Sequence, residues 1–176
     1  MIEAIAPLRT APAIRIRPVA PDDLVALRAF YEELSPDSRY RRLMSLGLLG
    51  EGDAKRFCGA DHEHREGFLA IVDEAGADDG RIVGHLCVEP ITPDEVEMAV
   101  AVADRYQGRG IGRALTQAAL AWGRRHNVAR LRASMLADNT GIIRLLESLR
   151  RPITFSAPVA GVVEAVVEVD EPSSAG

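Results

Sequence analysis

The sequence predicts a single mixed α/β domain, α+β-like, with a central, mostly antiparallel sheet flanked by helices on both faces. Three observations predict it. Hydrophobic periodicity switches between two and 3.6 residues in the order β-α-α-β-β-β-α-β-α-β, with no internal repeat or domain-splitting linker. Three strand signals between residues 68 and 103 are separated only by turn residues, which reads as an antiparallel meander. The 176 residues, 47% apolar and 27% charged, fit one ordinary globular domain that can fill a core without staples. The domain is placed at 13–169, with flexible termini at 1–12 and 170–176.

The elements follow in order. Ile14 to Val19 alternates apolar and charged residues and reads as a half-buried strand with Pro18 near its end. Pro21-Asp22-Asp23 opens a helix with acids at its positive end, and Leu24, Leu27, Phe30 or Tyr31, and Leu34 share one face. Ser35 caps a second helix with Pro36 at its first position; its apolar face is Tyr40, Leu43 and Met44, and Gly47 stops it. A short helix spans Asp53 to Cys58, and 60–66 is polar loop. Strands follow at Phe68 to Val72, Arg81 to Val88 and Val96 to Ala103, with Glu74 to Gly80 and Glu89 to Asp94 as connections. A long helix runs from Arg109 to His126 with Ile111, Leu115, Ala118 and Trp122 in one stripe. Arg130 to Met135 is a strand. Asp138 or Asn139 caps a helix with Ile142, Leu145, Leu146 and Leu149 on one face, ended by Pro152. Val162 to Val169 is the last strand.

Composition excludes several classes. Cys58 and Cys87 cannot build a disulfide framework or a four-thiolate zinc site. No apolar run approaches the ~18 residues of a membrane span. Residues 1–12 contain Glu3 and no long apolar core, a poor signal peptide, so the expectation is a soluble protein of a reducing cytoplasm. The net charge of -5 carries no basic stripe, which argues against nucleic acid as a partner. Lys55 is the only lysine among 21 basic residues. Arginine-favouring codon usage explains that; so would an enzyme that modifies lysines and has shed its own.

The informative segment is Val100-Ala101-Val102-Ala103-Asp104-Arg105-Tyr106-Gln107-Gly108-Arg109-Gly110-Ile111-Gly112-Arg113. A strand runs into three alternating glycines and then a helix. Glycines let backbone approach a ligand, and the free amides of the helix N-terminus carry partial positive charge, which makes a phosphate seat. Arg109 and Arg113 can add charge-assisted contacts. The Gly-Lys-Ser/Thr ending of a phosphate-loop NTPase is absent, and the spacing and meander context do not fit a dinucleotide fingerprint. Without further context, a phosphate seat and a turn of purely geometric role remain equally open.

Gln107-Gly108-Arg109-Gly110-Ile111-Gly112 resembles the Q/R-x-x-G-x-G/A acetyl-coenzyme A motif of the GNAT superfamily of N-acetyltransferases. The element order from about residue 13 to 169 matches that fold. Asn139 matches an Asn often found at the start of the helix it opens. Ile16 to Val19 with Pro21-Asp22-Asp23, Leu34 to Tyr40, and Glu97 to Val102 resemble the acetyltransferase domain of Pat-type bacterial protein lysine acetyltransferases. The resemblance implies acetyl-CoA as acyl donor, with no metal. It places the pantetheine arm along the backbone of Val100 and Val102. The pyrophosphate falls on Gln107, Gly108, Arg109, Gly110 and Gly112, with Arg113 and Asn139 nearby. It implies a protein lysine or a small primary amine as acceptor, with a non-catalytic acyl-CoA sensor on the same fold as the rival, and it allows a homodimer.

Alternation puts Met98, Val100 and Val102 on one strand face and Glu97, Ala99, Ala101 and Ala103 on the other. The alanine face leaves space for a ligand or a closely packed helix. A carboxylate among small apolar groups is poised to take a proton near neutral pH. The resemblance makes Glu97 the general base for the amine, through water; otherwise it reads as an exposed strand-end residue beside Asp94 and Glu95. His62 and His64 read as solvated loop residues, His85 as a satisfied, partly buried histidine, Cys87 as packing, and Tyr106 and Trp122 as structural. Arg39, Arg41 and Arg42 read as a solvated helix face, with coenzyme A phosphates or an acidic partner as alternatives.

The sequence also departs from the family pattern. The Tyr that many members use as general acid is replaced by Leu146, as in Pat-like members, leaving the acid unassigned. The usual Gly-Phe after that helix is replaced by Arg150-Arg151-Pro152, which predicts a remodelled C-terminal third. No nucleotide-forming or cyclic-nucleotide regulatory domain accompanies the domain in this sequence.

Overall fold

A computed structural model describes residues 13–73 and 80–170. The sequence expectations for 1–12, for most of the turn at 74–80 and for the tail after Asp170 lie outside these residues.

The strands are β1 (Ile14–Pro18), β2 (Glu66–Val72), β3 (Arg81–Thr92), β4 (Glu95–Val102), β5 (Arg130–Leu136), β6 (Ile153–Phe155) and β7 (Val162–Glu168). They form one sheet in the order β1-β2-β3-β4-β5-β7-β6. Every neighbouring pair is antiparallel except β4 and β5. The helices are α1 (Leu24–Glu33), α2 (Pro36–Leu43), α3 (Glu51–Cys58), α4 (Ile111–Arg125) and α5 (Thr140–Glu147).

Strand alternation divides the core into two layers. Leu69, Ile71, Ile82 and Cys87 pack with Leu27, Phe30, Tyr31 and Phe57 beneath α1 and α3. Ala70, Val83, Leu86 and Met98 point the other way and pack with Leu115, Trp122 and Leu146 from α4 and α5. With both faces covered, β2 is buried along its whole length and shows no polar alternation.

Local chemistry sets the element ends. The Asp23 carboxylate accepts from the Ala20 amide at 2.7 Å and from Arg17 Nη1 and Nη2 at 2.8 and 2.6 Å, fixing the turn into α1. Ser35 caps α2 as predicted, its hydroxyl accepting from the Ser38 amide at 3.2 Å. The long helix starts at Ile111 rather than Arg109, because Gly110 holds φ 82 and helical geometry cannot run through it.

Several expectations need correction. Tyr40 and Met44 are exposed, so of the apolar face assigned to α2 only Leu43, partly buried, packs against the core. On α4 the buried set includes Thr116, Ala119 and Leu120, while Ala118 is only partly buried. The hairpin connection is shorter than Glu89 to Asp94: β3 runs to Thr92, with Pro90 at a register shift, and only Pro93-Asp94 turns the chain. The strand β6 follows Pro152 and pairs with β7. The Arg150-Arg151-Pro152 segment leads into it, with Arg150 at φ 55 and Arg151 Nη1 donating to Val169 O at 2.6 Å.

Candidate active site

The parallel pairing of β4 with β5 covers only Glu95↔Arg130, Val96↔Leu131 and Glu97↔Arg132. Beyond Glu97 the two strands diverge. A cleft of about 810 Å³ opens between them, floored by Met98 to Val102 of β4 and Ala133 to Met135 of β5. The N-termini of α4 and α5 close one side, and Ser38, Arg41 and Arg42 of α2 close the other.

Antiparallel geometry tells which backbone groups of β4 face this cleft. The Ala103 amide donates to Val83 O at 2.8 Å on the β3 side. Bonding direction alternates with period two, so Ala99 and Ala101 also bond to β3. The amides and carbonyls of Met98, Val100 and Val102 therefore turn toward the gap left by β5. The Val102 carbonyl accepts from Gln107 Nε2 at 3.1 Å; the Val100 groups lie on an edge that no strand covers. These are the two residues the sequence reading selected.

At the end of β4 a 3-10 turn, Asp104–Tyr106, leads into the glycines. Gly108 and Gly110 hold φ 70 and 82, and a Cβ on either would meet open space. Gly112 differs: its Cβ would collide with the Leu145 side chain, so it sets the close approach of α5 to α4. The first intrahelical bond of α4 runs from the Ala114 amide to Gly110 O at 3.0 Å. The amides of Ile111, Gly112 and Arg113 thus have no helical carbonyl to bond, and the macrodipole adds positive charge there. Anions favour such a position. Arg113 lines the cleft, whereas Arg109 is exposed with its guanidinium 5.3 Å from the Tyr106 ring centroid. Asn139 lines the cleft and caps α5, its Oδ1 accepting from the Ile142 amide at 3.3 Å.

Gln107 also ties elements together. Its Nε2 donates to Ser38 Oγ at 3.1 Å. Asp104 accepts from the Ser35 amide at 2.9 Å, and from Ser35 Oγ and Ser38 Oγ, each at 2.7 Å. Desolvation works against the ionised Asp104, but the Ser35 and Ser38 donors outweigh it and hold the carboxyl below its ordinary range. Sequence reading missed this dock. Ser35 had a local explanation as a cap, and the 69-residue separation between Ser35 and Asp104 leaves no local signal.

Glu97 stands where the strands part. It is exposed, which corrects the picture of a carboxylate enclosed among alanines; Ala99 and Ala101 continue beneath α2. Its Oε1 accepts from Ser134 Oγ at 3.1 Å, and Ser134 lines the cleft. Its acidic neighbours are neutralised: Asp94 pairs with Arg130 at 3.0 Å and buried Glu95 with Arg132 at 2.6 Å. Among the described residues no cation pairs with Glu97.

Other expectations are corrected or refined. Leu146 is fully buried in the core and does not line the cleft. His85 is fully buried rather than partly; Nδ1 lies 2.9 Å from Tyr31 Oη, while Nε2 has no partner. Arg42 is not on a solvated face: it turns inward to Cys87 Sγ at 3.1 Å. Trp122 is structural, its Nε1 donating to His62 O at 3.1 Å. Among the described residues no helix is long and apolar enough to cross a membrane, and no three His, Cys, Asp or Glu residues gather as a metal site.

Known structures share this architecture. The GNAT domain of PAT from S. lividans is 28% identical, with a TM-score of 0.78 over 88% of this chain and 90% of that one. The yncA protein of Salmonella typhimurium, solved with acetyl-CoA as its cofactor, is 18% identical, with a TM-score of 0.72 over 92% and 97%. A cAMP-binding acyltransferase from Mycobacterium smegmatis is 23% identical, with a TM-score of 0.57 over 89% of this chain and 44% of that one. A model of the acetyltransferase (GNAT) family matches residues 26–149, which takes in α2, the diverging strands and the glycine turn. The chain thus belongs to the GNAT acetyltransferase family, whose members use acetyl-CoA.

Proposed function

We propose that the chain acetylates a lysine side chain of a protein by direct transfer from acetyl-CoA, with Glu97 as the general base. The observation that carries this reading is the divergence of β4 and β5 beyond Glu97. It leaves the Val100 backbone uncovered between a helix N-terminus suited to phosphate and a carboxylate without a counter-ion. Likeness to Pat-type domains supports lysine as the acceptor.

In this reading the pyrophosphate rests on the amides from Gly108 to Arg113, and the pantetheine pairs with the open edge at Val100 and Val102. A lysine ammonium has a reference pKa of about 10.4 and must lose a proton before it can attack. Glu97 takes that proton through water. The amine nitrogen then bonds to the thioester carbonyl carbon, the C–S bond breaks, and coenzyme A leaves as the thiol once protonated. Holding both reactants in one cleft and aiming backbone amides at the carbonyl oxygen lowers the barrier.

The test is incubation of the purified chain with isotopically labelled acetyl-CoA and three acceptor sets: lysine-containing proteins, N-terminal peptides and small primary amines. Mass spectrometry should find the label on lysine Nζ. Label confined to small amines would reassign the acceptor. Acetyl-CoA binding without labelled product would make the chain a sensor.

A further inference from the structure

Two neighbouring arginines of α2 behave differently. Arg41 is charge-balanced, its guanidinium 2.8 Å from Asp37 and 2.8 Å from Asp138. Arg42 turns the other way, into the protein. Its Cζ lies 5.8 Å from the Tyr31 ring centroid and 5.5 Å from that of Phe57, and Nη2 donates to Cys87 Sγ. None of these neighbours carries a negative charge: burial pushes the Tyr31 hydroxyl well above its ordinary range and raises the Cys87 thiol as well. Arg42 Nε is buried without a hydrogen-bond partner. Among the described residues no carboxylate lies within ion-pair distance of it. Arg42 as a whole is half-buried and lines the open cleft, so a partly desolvated cation with neither counter-charge nor full hydrogen bonding is within reach of a ligand there.

Its place along β4 narrows what could balance it. Ser38, at the start of α2, touches Gln107 and so marks the glycine-turn end. Arg42 is one helical turn, about 6 Å, farther along the axis. Its partner Cys87 sits opposite Ala99, two residues from Glu97 and on the same strand face. Arg42 therefore stands at the reacting end of the cleft, away from the phosphate seat. A guanidinium fork suits a carboxylate, which it binds through two parallel bonds.

We propose that Arg42 binds a carboxylate at the reacting end of the cleft, carried either by the acyl group of the donor or by the acceptor beside its amine. This rests on the reading of the cleft as an acyl-transfer site. The chain then prefers a dicarboxylic acyl donor, or an amine with an acid close by, such as an amino acid or a lysine next to Asp or Glu.

Two arms separate the sources. In the donor arm, calorimetry compares succinyl-CoA with butyryl-CoA, which has the same number of acyl carbons and no carboxylate. In the acceptor arm, kcat/KM with acetyl-CoA is compared for lysine peptides carrying Glu or Gln beside the lysine, and for an amino acid and its amide. The expected result is a preference of about tenfold or more for the carboxylate in one arm. Arg42→Met should bring it to within about twofold of none, and Arg42→Lys should keep part of it. No preference in either arm of the unmodified protein overturns the proposal, without recourse to a variant. So does a preference that survives in Arg42→Met, or an equal loss of affinity for acetyl-CoA and succinyl-CoA, which would place Arg42 among the phosphate contacts. If neither acyl-CoA binds the unmodified protein, the acyl-transfer reading fails as well; if both bind equally and transfer shows no acceptor preference, only the Arg42 proposal fails.

Discussion

Gly108, Gly110 and Gly112 look equivalent in the sequence, but the structure gives them different work. The first two hold a backbone conformation that other residues rarely adopt, beside open space; the third permits contact between two helices. Gly110→Val should strain the turn and put a branched side chain into the proposed phosphate seat. Acetyl-CoA affinity should fall about tenfold or more, roughly 1.4 kcal/mol, measured by calorimetry on folded protein. Unchanged affinity would remove the turn from the binding site. Gly112→Ala should act through packing instead: it should lower the unfolding temperature by forcing Leu145 and α5 to move, with a thermal melt as the check. The sequence singled out these glycines as a group and could not separate their roles, because the Leu145 contact joins two helices. Arg42 was misread for a similar reason. Three arginines in four positions give a helix no clear polar face, and only tertiary packing decides which one turns inward.

At the scale of elements, α2 forms one wall of the cleft and is held there by Asp104. Because that carboxyl lies below its ordinary value near 3.8, its contribution to stability is fully present above that pH. It is lost as pH falls through the folded-state pKa. Amides of α2 should therefore exchange faster with solvent in strong acid, and Asp104→Ala should reproduce faster exchange at neutral pH, with a stability loss of about 1 kcal/mol. Exchange unchanged in the variant would show that α2 is held by its other contacts. Most elements were legible where the pattern was long. The meander and the long helix stand within a few residues of where periodicity put them, Ser35 caps α2 as its residue type suggested, and Asn139, one of two candidates with Asp138, caps α5. The short strand β6 was missed because Ile153-Thr154-Phe155 is too brief to show alternation after Pro152. The extension of β3 was missed because Pro90 reads as a strand breaker, whereas a register shift accommodates it.

For the molecule as a whole, the decisive feature is a seven-stranded sheet whose one parallel pair parts after three residues. The order of elements other than β6 was readable from the sequence. The divergence was not, because strand separation leaves no mark on the alternation of either strand. It opens a cleft between the uncovered backbone of β4 and the α4 N-terminus, with Glu97 outside the lining but bonded to Ser134, which does line it; that Glu97 serves this cleft as the base is the central claim about function. Glu97→Gln tests that claim most directly, since it keeps the side-chain shape and the Ser134 contact and removes only the base. On the acceptor that the labelling experiment identifies, turnover under conditions where chemistry is limiting should drop by roughly 10²–10⁴. Calorimetric affinity for acetyl-CoA should stay within about twofold of the unmodified protein. Near-normal turnover in a variant that still binds acetyl-CoA would contradict the assignment of proton transfer to Glu97.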